Sequence, residues 1–254
     1  MNNILNKEEI ADLKVNGHKL ALLVDQLKAE IKPGVTADKI ETLALKLFDQ
    51  AGLTPAFLNY YVYGAGNFPA STCISVNEEV VHGIPLKTKV FKEGDLVSID
   101  LGAGYNGVYT DMAVTVPVGE ISDADAKLLK FTEDSLYRGI EAAKSGNTIG
   151  HIGEAVEKVA NLNNLGIVRD YVGHGIGRKP HLPPQIPNYG EAGEGITIAE
   201  GMALAIEPML TLGRGETDVR PDGWTVVTSD HSKAAHFEHT IIIENGLPVI
   251  ITKV

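Results

Sequence analysis

The sequence predicts an α+β fold built from two similar halves, and three features of the chain predict it. Glu-Gly turns run into apolar strands that end in a carboxylate at two places, Glu93–Asp100 and Glu200–Glu207. Two shorter matches accompany them: Lys32-x-Gly34-x-Thr36 with Lys144-x-Gly146-x-Thr148, and His82-Gly83-Ile84 with His174-Gly175-Ile176. The matches follow the same order in both halves. We therefore predict two half-domains related by a pseudo-twofold axis, with a site between them.

Apolar residues at helical spacing predict a pair of helices at the start of each half. The predicted helices cover residues 7–31, the stretch from Thr36 to Gly52, residues 122–143 and residues 148–164. Thr36 and Thr148 are expected to cap the second helix of each pair. We expect residues 1–254 to form a single domain, with half-repeats of about 1–118 and 119–254.

Composition restricts the class of protein. The 254 residues, 44% of them hydrophobic, are enough to bury a full core. A net charge of −11 argues against nucleic acid or an anionic membrane as the main partner. The single cysteine allows no intrachain disulfide, the first residues do not resemble a signal peptide, and no apolar run approaches the roughly 20 residues that span a bilayer. We expect a soluble cytoplasmic protein.

A β-hairpin is predicted around Asn106-Gly107, because this pair separates two β-rich runs. A two-residue turn there places Asp100 opposite Ala113 and Asp111 opposite Gly102. The two aspartates are then diagonal neighbours on one face, roughly 7–8 Å apart at Cα. Two ionised carboxylates this close repel, so one stays protonated, both face solvent, or they share a cation. The glycines here also spell G-x-G-x-x-G, but a β-rich run follows them where the dinucleotide fingerprint requires a helix.

The second half is expected to supply a matching pair of carboxylates. Glu207 ends an apolar strand. Glu238 lies in a predicted strand over residues 236–243, which turns at Asn245-Gly246 into another strand. Alternation along this strand places His236 on the same face as Glu238.

Histidines in glycine- or proline-containing loops add candidate ligands, namely His82, His174 and His181. A lone histidine is ordinarily a surface or satisfied core residue, but three of them beside a carboxylate repeat favour a site. Carboxylates and imidazoles suit Mn, Fe(II), Co or Zn better than softer metals. Four carboxylates exceed what one catalytic metal with an open position uses, so two metals roughly 3.5–4 Å apart fit the count. The roles of His236 and His239 stay open.

Five segments of the chain carry motifs that belong together: Asn67–Pro85, Gly173–Gly177, Ile206–Pro208, Asp222–Thr225 and Glu238–Thr240. They resemble those of the type I methionine aminopeptidases, in the unextended bacterial form, and the resemblance covers essentially the whole chain. It implies the pita-bread fold, in which two α+β halves surround a central antiparallel sheet with helices on the outer face. It also implies a metalloaminopeptidase that removes the N-terminal methionine from nascent polypeptides and prefers small second residues.

The resemblance implies roles for individual residues at the metal site. The metal ligands would be Asp100, Asp111, His174, Glu207 and Glu238. Asp111 and Glu238 would bridge two divalent ions, which could be Co, Mn, Fe(II), Zn or Ni. Asp100 would bind one of the ions, and His174 and Glu207 would bind the other. Glu207 would also act as the general base on the hydroxide-forming water between the metals.

Substrate contacts follow from the same resemblance. His181 would lie near the scissile carbonyl and His82 near the departing nitrogen, while Phe68, Cys73 and Trp224 would line the methionine pocket. We expect Cys73 to be an apolar wall rather than a reactive thiol, because no cation near it in sequence would lower its pKa. The resemblance also implies a monomer that works in the cytoplasm, close to the ribosome, and takes no nucleic acid or membrane as partner.

Two departures from the family pattern concern the pocket. Lys179 and Pro180 precede His181, where many relatives carry an aromatic residue that helps to wall the pocket. The segment Tyr60–Gly66 does not align cleanly, so it receives no role.

Two other functions fit parts of the pattern. Aminopeptidase P and prolidase, proline-specific relatives of the same fold, share the five ligands but usually carry a large N-terminal domain. Only about 90 residues precede the ligand hairpin here, and Asn77–Pro85 favours methionine specificity. A non-catalytic binding module on this fold would have lost metal ligands, whereas all five positions are filled.

Overall fold

The structure, a computed structural model, describes residues 4–254. Within this range the chain forms four helices: α1 (Lys7–Lys28), α2 (Ala37–Ala51), α3 (Asp123–Ala142) and α4 (Ile149–Leu162). The strands are β1 (Thr54–Pro55), β2 (Tyr61–Val62), β3 (Gly66–Asn67), β4 (Cys73–Val76), β5 (Glu79–Val81), β6 (Leu96–Tyr105), β7 (Val108–Pro117), β8 (Gly166–Ile167), β9 (Gly173–Gly175), β10 (Leu182–Ile186), β11 (Ala203–Ile206), β12 (Met209–Thr211), β13 (Thr217–Val219), β14 (Val226–Thr228), β15 (Ala234–His236), β16 (His239–Glu244) and β17 (Leu247–Ile250). The predicted helix pairs are confirmed, although α1 ends three residues before the predicted end at residue 31.

Capping residues explain where the helices begin and end. The Asn6 side chain accepts the backbone N–H of Glu9 at the start of α1, and the Glu9 carboxylate accepts the N–H of Asn6 in return. Thr36 and Thr148 occupy the N-cap positions predicted for them. Gly52 ends α2 at a φ of 64°, a left-handed conformation that glycine adopts without steric cost.

Two antiparallel sheets form the centre of the fold. In the first sheet β6 pairs with β1, β4 and β7, and the second has the order β10-β9-β11-β16-β17. Smaller sheets have the orders β15-β12-β8, β13-β14-β5 and β2-β3. Each half thus combines a helix pair with antiparallel strands, as the α+β prediction requires.

Each helix pair packs on the sheet of its own half. Leu20 from α1 and Phe48 from α2 pack in one cluster with Ile99 of β6, and all three are at most 1% exposed. Ile152 of α4 packs with Ile206 of β11 in the second main cluster. Burial of one such side chain contributes about 1.5–3 kcal/mol. The helices therefore cover the outer faces of the two sheets. A third apolar cluster, in which Leu13 of α1 packs with Ala205 and Ile242 of the second half, joins the two halves.

The hairpin of β6 and β7 forms in the predicted register. Asp100 pairs with Ala113 and Asp111 pairs with Gly102 along β6 and β7. The turn residues Asn106 and Gly107 have φ angles of 48° and 82°, which these two residue types tolerate best. The diagonal placement of the two aspartates is therefore confirmed.

The two glutamates that open the repeated strands make equivalent contacts. Glu93 accepts the backbone N–H of Glu120, in the turn that follows β7. Glu200 accepts the N–H groups of Asn245 and Gly246, in the turn that follows β16. Each glutamate thus links the start of one strand to the end of the strand paired with it. This is the contact expected of a duplicated half.

One of the predicted matches between the halves, that of His82 with His174, is wrong, because the two histidines do not occupy equivalent strands. His174 lies in β9, where it pairs with Ala205 of β11. The residue matched to it, His82, precedes Gly83, and the Gly83 carbonyl accepts the N–H of Ile74 in β4. Because β4 is the strand that pairs with β6, β4 and β9 are the equivalent strands. The two histidines come from different places in the repeat.

The strand predicted over residues 236–243 is interrupted. β15 ends at His236 and β16 begins at His239, yet both pair with β12 and β11 in one continuous register. The gap lies opposite Glu207-Pro208, where proline has no N–H to offer the ladder. Glu238 therefore stands in the gap, opposite Glu207.

None of the helices formed by residues 4–254 combines the length and the apolar character needed to cross a bilayer.

Candidate active site

Four carboxylate side chains from the two halves meet at one buried place. Asp100 and Asp111 come from β6 and β7, Glu207 follows β11, and Glu238 lies between β15 and β16. Asp111 and Glu238 are each 2% exposed, and the Glu207 side chain is 13% exposed. Buried charges without partners are strongly unfavourable, so this cluster needs protons or cations to offset it.

Hydrogen bonds between the halves fix the backbone around these carboxylates. The Thr240 hydroxyl accepts the N–H of Asp111 at 2.8 Å and donates to the Asp111 carbonyl at 2.7 Å. The N–H of Glu238 donates to the Ala113 carbonyl at 2.9 Å. The hairpin of the first half is thus joined directly to the segment of the second half that carries Glu238.

Burial raises the pKa of all four carboxyl groups. It raises the pKa of Asp100 to about 7 and that of Glu207 to about 8. The pKa values of Asp111 and Glu238 lie well above the usual range, because of burial first and the neighbouring carboxylates second. Such a cluster favours any species that brings positive charge into it.

The donor atoms fit a divalent cation. Oδ1 of Asp100 and Oε1 of Glu238 are buried without a hydrogen-bond partner among residues 4–254. The Nε2 of His174 lies 3.4 Å from Oε1 of Glu207, the separation expected of two ligands about 2.0–2.2 Å from one ion. Three sets of donor atoms lie within 4.8 Å of one another: Asp111, His174 and His181; His174, Glu207 and Glu238; and Asp100, Asp111 and Glu238.

The protonation state of His174 also suits coordination. Burial lowers the pKa of His174 to about 3, so its imidazole is neutral over the working range of most proteins. A neutral imidazole keeps one nitrogen lone pair free for a metal. The Nδ1 atom of His174 lies 3.0 Å from the Gly175 carbonyl, which orients the ring with Nε2 toward the carboxylates.

A cavity of about 360 Å³ opens onto the carboxylate cluster. Its lining contains all the residues that the sequence predicted for the site: Phe68, Cys73, His82, Asp100, Asp111, His174, His181, Glu207, Trp224 and Glu238. The cavity is also lined by residues that the sequence did not indicate: Phe57, Tyr60, Val62, Val81, Asp170, Tyr171, Val172 and Gln185. The carboxylate cluster and the apolar residues therefore line the same cavity.

The apolar end of this cavity is built by side chains that pack on one another. Phe57, Phe68 and Cys73 are buried in one cluster, and Trp224 packs against it. The rings of Phe68 and Trp224 meet edge to face, with centroids 5.1 Å apart. Asp222 holds the loop, because its carboxylate accepts the N–H of Trp224 at 2.9 Å. An apolar side chain is the natural occupant of such a pocket.

Cys73 has the character of a pocket wall. It is buried, and burial together with the charges of Asp100 and Asp111 raises its pKa well above the usual range. The thiolate, which is the reactive form, is therefore suppressed. This supports the expectation of an apolar wall over that of a reactive thiol.

His82 occupies a strained position at the edge of the cavity. Its φ is 57°, in the left-handed region that few residues other than glycine adopt. The next residue must be a glycine, because a Cβ on Gly83 would lie 2.3 Å from the Ile74 carbonyl oxygen. The His82 ring meets Tyr171 edge to face at 5.5 Å, and burial lowers its pKa to about 4. A neutral imidazole is thus presented to the cavity.

The segment that received no role from the sequence forms a small hairpin at the cavity mouth. β2 and β3 pair with each other, and Tyr60 and Val62 line the cavity while Tyr61 and Tyr63 face solvent. The Tyr60 ring lies 5.0 Å from that of His181. An aromatic wall beside His181 is therefore present, and it comes from this hairpin rather than from the residues before His181.

His236 is the site neighbour whose role the sequence left open. It is 1% exposed, and its Nε2 lies 3.5 Å from Oε2 of Glu207. The alternation that places His236 on the face of Glu238 was the available signal. Alternation alone did not give the pairing of β15 with β12. That pairing continues the register of β11 with β16, and it makes His236 a diagonal neighbour of Glu207.

Comparisons with known proteins identify the family of the chain. The model of metallopeptidase family M24 matches residues 12–245. Methionine aminopeptidase 1 of Bacillus subtilis is 44% identical over 95% of this chain and 96% of its own length.

Solved structures extend the likeness to the fold. Methionine aminopeptidase from Thermotoga maritima is 44% identical, each chain is covered in full, and the TM-score is 0.95. Prolidase from Pyrococcus furiosus is 24% identical, with 99% of this chain and 66% of that chain covered at a TM-score of 0.78. At that identity the prolidase likeness shows the fold alone.

Proposed function

This chain belongs to metallopeptidase family M24 and, within it, to the bacterial type I methionine aminopeptidases, and from that premise we propose how its cavity releases methionine. Its fold is the pita-bread fold of those enzymes, as predicted. The chain is a metal-dependent hydrolase that removes N-terminal methionine from peptides. The observation that carries the proposal is the cavity in which four buried carboxylates and His174 adjoin an apolar pocket.

We assign the metal ligands as Asp100, Asp111, His174, Glu207 and Glu238, and the number of carboxylates among them would suit two divalent ions. Asp111, Glu238 and His174 each occur in two of the three sets of close donor atoms. Of these, only the carboxylates of Asp111 and Glu238 have two oxygens with which they would bind two ions, which supports a bridging position for both. Asp100 would hold one of the ions, and His174 with Glu207 would hold the other. When bound, such ions lower the pKa of water and polarise the substrate carbonyl. The donor types accept Co, Mn, Fe(II), Zn or Ni.

Glu207 is the general base of the proposed reaction. It is the most exposed of the four carboxylates and lines the cavity, so a water molecule can reach it. It takes a proton from the attacking water and returns it to the departing amine. His181 donates a hydrogen bond to the carbonyl oxygen as charge develops there, and His82 contacts the departing peptide nitrogen.

The methionine side chain is held at the apolar end of the cavity. Phe68, Cys73 and Trp224 form its walls, with no charged group among them. Tyr60 narrows the exit beside His181, which supports a preference for small second residues. Tyr60→Ala should therefore raise kcat/KM for Met-Leu peptides relative to Met-Ala peptides, and an unchanged ratio would refute that role.

Metal removal and substrate choice together test the proposed function. The chelated chain should lose hydrolysis of Met-Ala-Ser and regain it with added Mn²⁺, Co²⁺ or Fe(II), while an Ala-Pro substrate stays intact. Glu238→Gln should abolish turnover, and Asp230→Asn, on a loop outside the cavity, should leave it unchanged. Cleavage of Ala-Pro would favour the proline-specific alternative. Absence of any metal-dependent hydrolysis would favour the binding module.

The setting of the enzyme is part of the proposal. A single domain with half-repeats of about 1–118 and 119–254 supplies the whole cavity lining, which supports action as a monomer. We place it in the cytoplasm near the ribosome, where nascent peptides present their first methionine. Light scattering after size exclusion and co-sedimentation with ribosomes test these two points.

A further inference from the structure

His236 is a buried polar side chain that the mechanism above does not use. It is 1% exposed, and neither ring nitrogen has a hydrogen-bond partner at good geometry within the described part of the chain. Unpaired buried polar atoms are costly, so each one in a folded protein calls for an explanation. An apolar residue of similar size would avoid that cost at this position.

The His236 ring faces one oxygen of Glu207. Its Nε2 lies 3.5 Å from Oε2, while the other oxygen, Oε1, lies 3.4 Å from Nε2 of His174. Each oxygen of the carboxylate therefore has its own imidazole. His174 belongs to the sets of close donor atoms found among residues 4–254, and His236 belongs to none of them. His236 thus lies beside Glu207 without belonging to any of these sets of donor atoms.

The backbone of His236 is held firmly by the other half of the molecule. The Thr115 hydroxyl accepts the N–H of His236 and donates to its carbonyl, both at 2.8 Å. The ladder between β12 and β15 pairs His236 with Met209, two residues after Glu207. A backbone fixed in this way, together with the burial of the side chain, restricts where the His236 ring can lie.

We propose that His236 is a positioning residue: its Nε2 faces Oε2 of Glu207 at 3.5 Å and would donate a hydrogen bond to that oxygen when an ion is bound, which keeps Oε1 beside Nε2 of His174. The inference rests on the proposed function, because it assigns Glu207 to the metal site. Hydrogen bonds from outside the ligand shell orient ligating carboxylates, and their loss weakens metal binding and activity. The donor of this bond comes from the same half as Glu207, and its anchor, Thr115, comes from the other.

Calorimetric titration of the metal-free chain with Mn²⁺ tests the role of His236 without relying on turnover. His236→Leu, which removes the donor, should raise the Kd for Mn²⁺ by about 10–100-fold. It should also lower kcat for Met-Ala-Ser with little change in KM. His236→Gln, whose amide nitrogen can take the place of Nε2, should restore Mn²⁺ affinity to within about threefold of the original value.

A matched control separates positioning from folding. His239→Gln changes a histidine in the adjoining strand, whose Nδ1 bonds the Thr252 hydroxyl instead of the site. It should leave the Kd for Mn²⁺ unchanged. If His236→Leu does not fold, His236→Asn, whose amide is too short to reach Glu207, carries the same prediction.

The inference is overturned if the leucine or asparagine variant folds and binds Mn²⁺ as tightly as the unchanged chain. It is also overturned if glutamine weakens binding as much as leucine. A chain that binds Mn²⁺ but never cleaves a methionine peptide contradicts the proposed function instead, so the two failures are distinguishable.

Discussion

Replacing Thr240 with valine should weaken the junction between the two halves. The Thr240 hydroxyl is fully buried and bonds both the N–H and the carbonyl of Asp111, across the boundary between β16 and β7. Valine has nearly the same shape but no hydroxyl. The substitution therefore removes two hydrogen bonds without opening a large cavity, and it does so at a proposed metal ligand.

The size of the effect follows from two backbone groups of Asp111, its N–H and its carbonyl, which both lose the Thr240 hydroxyl as a partner. Each buried backbone group that loses its partner costs about 1–3 kcal/mol, so we expect Thr240→Val to reduce the free energy of unfolding by about 2–6 kcal/mol. The Kd for Mn²⁺ should rise as well, because Asp111 loses the contact that fixes its backbone.

Urea unfolding of the metal-free chain, followed by circular dichroism, measures this loss as a lower midpoint at an unchanged slope. Thr132→Val is the matched control. The Thr132 hydroxyl is equally buried, but it bonds only the Leu128 carbonyl within α3. That carbonyl keeps its backbone partner in the helix when the hydroxyl is removed. The control should cost no more than about 1 kcal/mol. If Thr240→Val costs no more than the control, the hydroxyl does not join the halves.

Three further predictions concern the site. Glu207→Gln should lower kcat for Met-Ala-Ser by about 10²–10⁴-fold, as loss of a general base does, and kinetics at saturating Mn²⁺ will show whether turnover instead stays near normal. Cys73 should resist alkylation by iodoacetamide up to pH 9 in the native chain, because its raised pKa keeps the thiol protonated; rapid labelling seen by mass spectrometry would contradict this. Asp222→Ala should shift the emission of Trp224, the single tryptophan, to longer wavelength and raise KM, whereas Asp230→Ala, which also removes a carboxylate that accepts backbone N–H groups, should do neither.

Local rules predicted the hairpin that carries Asp100 and Asp111. The Asn106-Gly107 turn fixes its own length, and strand alternation then fixes which residues share a face. The positions of Asp100 and Asp111 follow from nothing else. The helix pairs were predictable for a similar reason, since apolar spacing and end residues act within a few turns.

Features that depend on contacts between distant segments were not predictable in the same way. The strand around Glu238 breaks because Pro208 lies opposite it, and pairing between these two segments was not visible in either alone. Tyr60 reaches His181 only because the hairpin β2-β3 folds over the cavity mouth. The contact of His236 with Glu207 likewise needs the register across that break.

We propose that five residues of the two halves hold the metal on which methionine release depends. Anaerobic purification with elemental analysis, followed by titration of Met-Ala-Ser turnover against each candidate metal, tests this most directly. We expect the metal-free chain to be inactive, turnover to saturate with bound divalent metal, and Glu238→Gln to lose both binding and turnover. A metal-free chain that still releases methionine, or a Glu238→Gln variant that binds and cleaves normally, would contradict these roles.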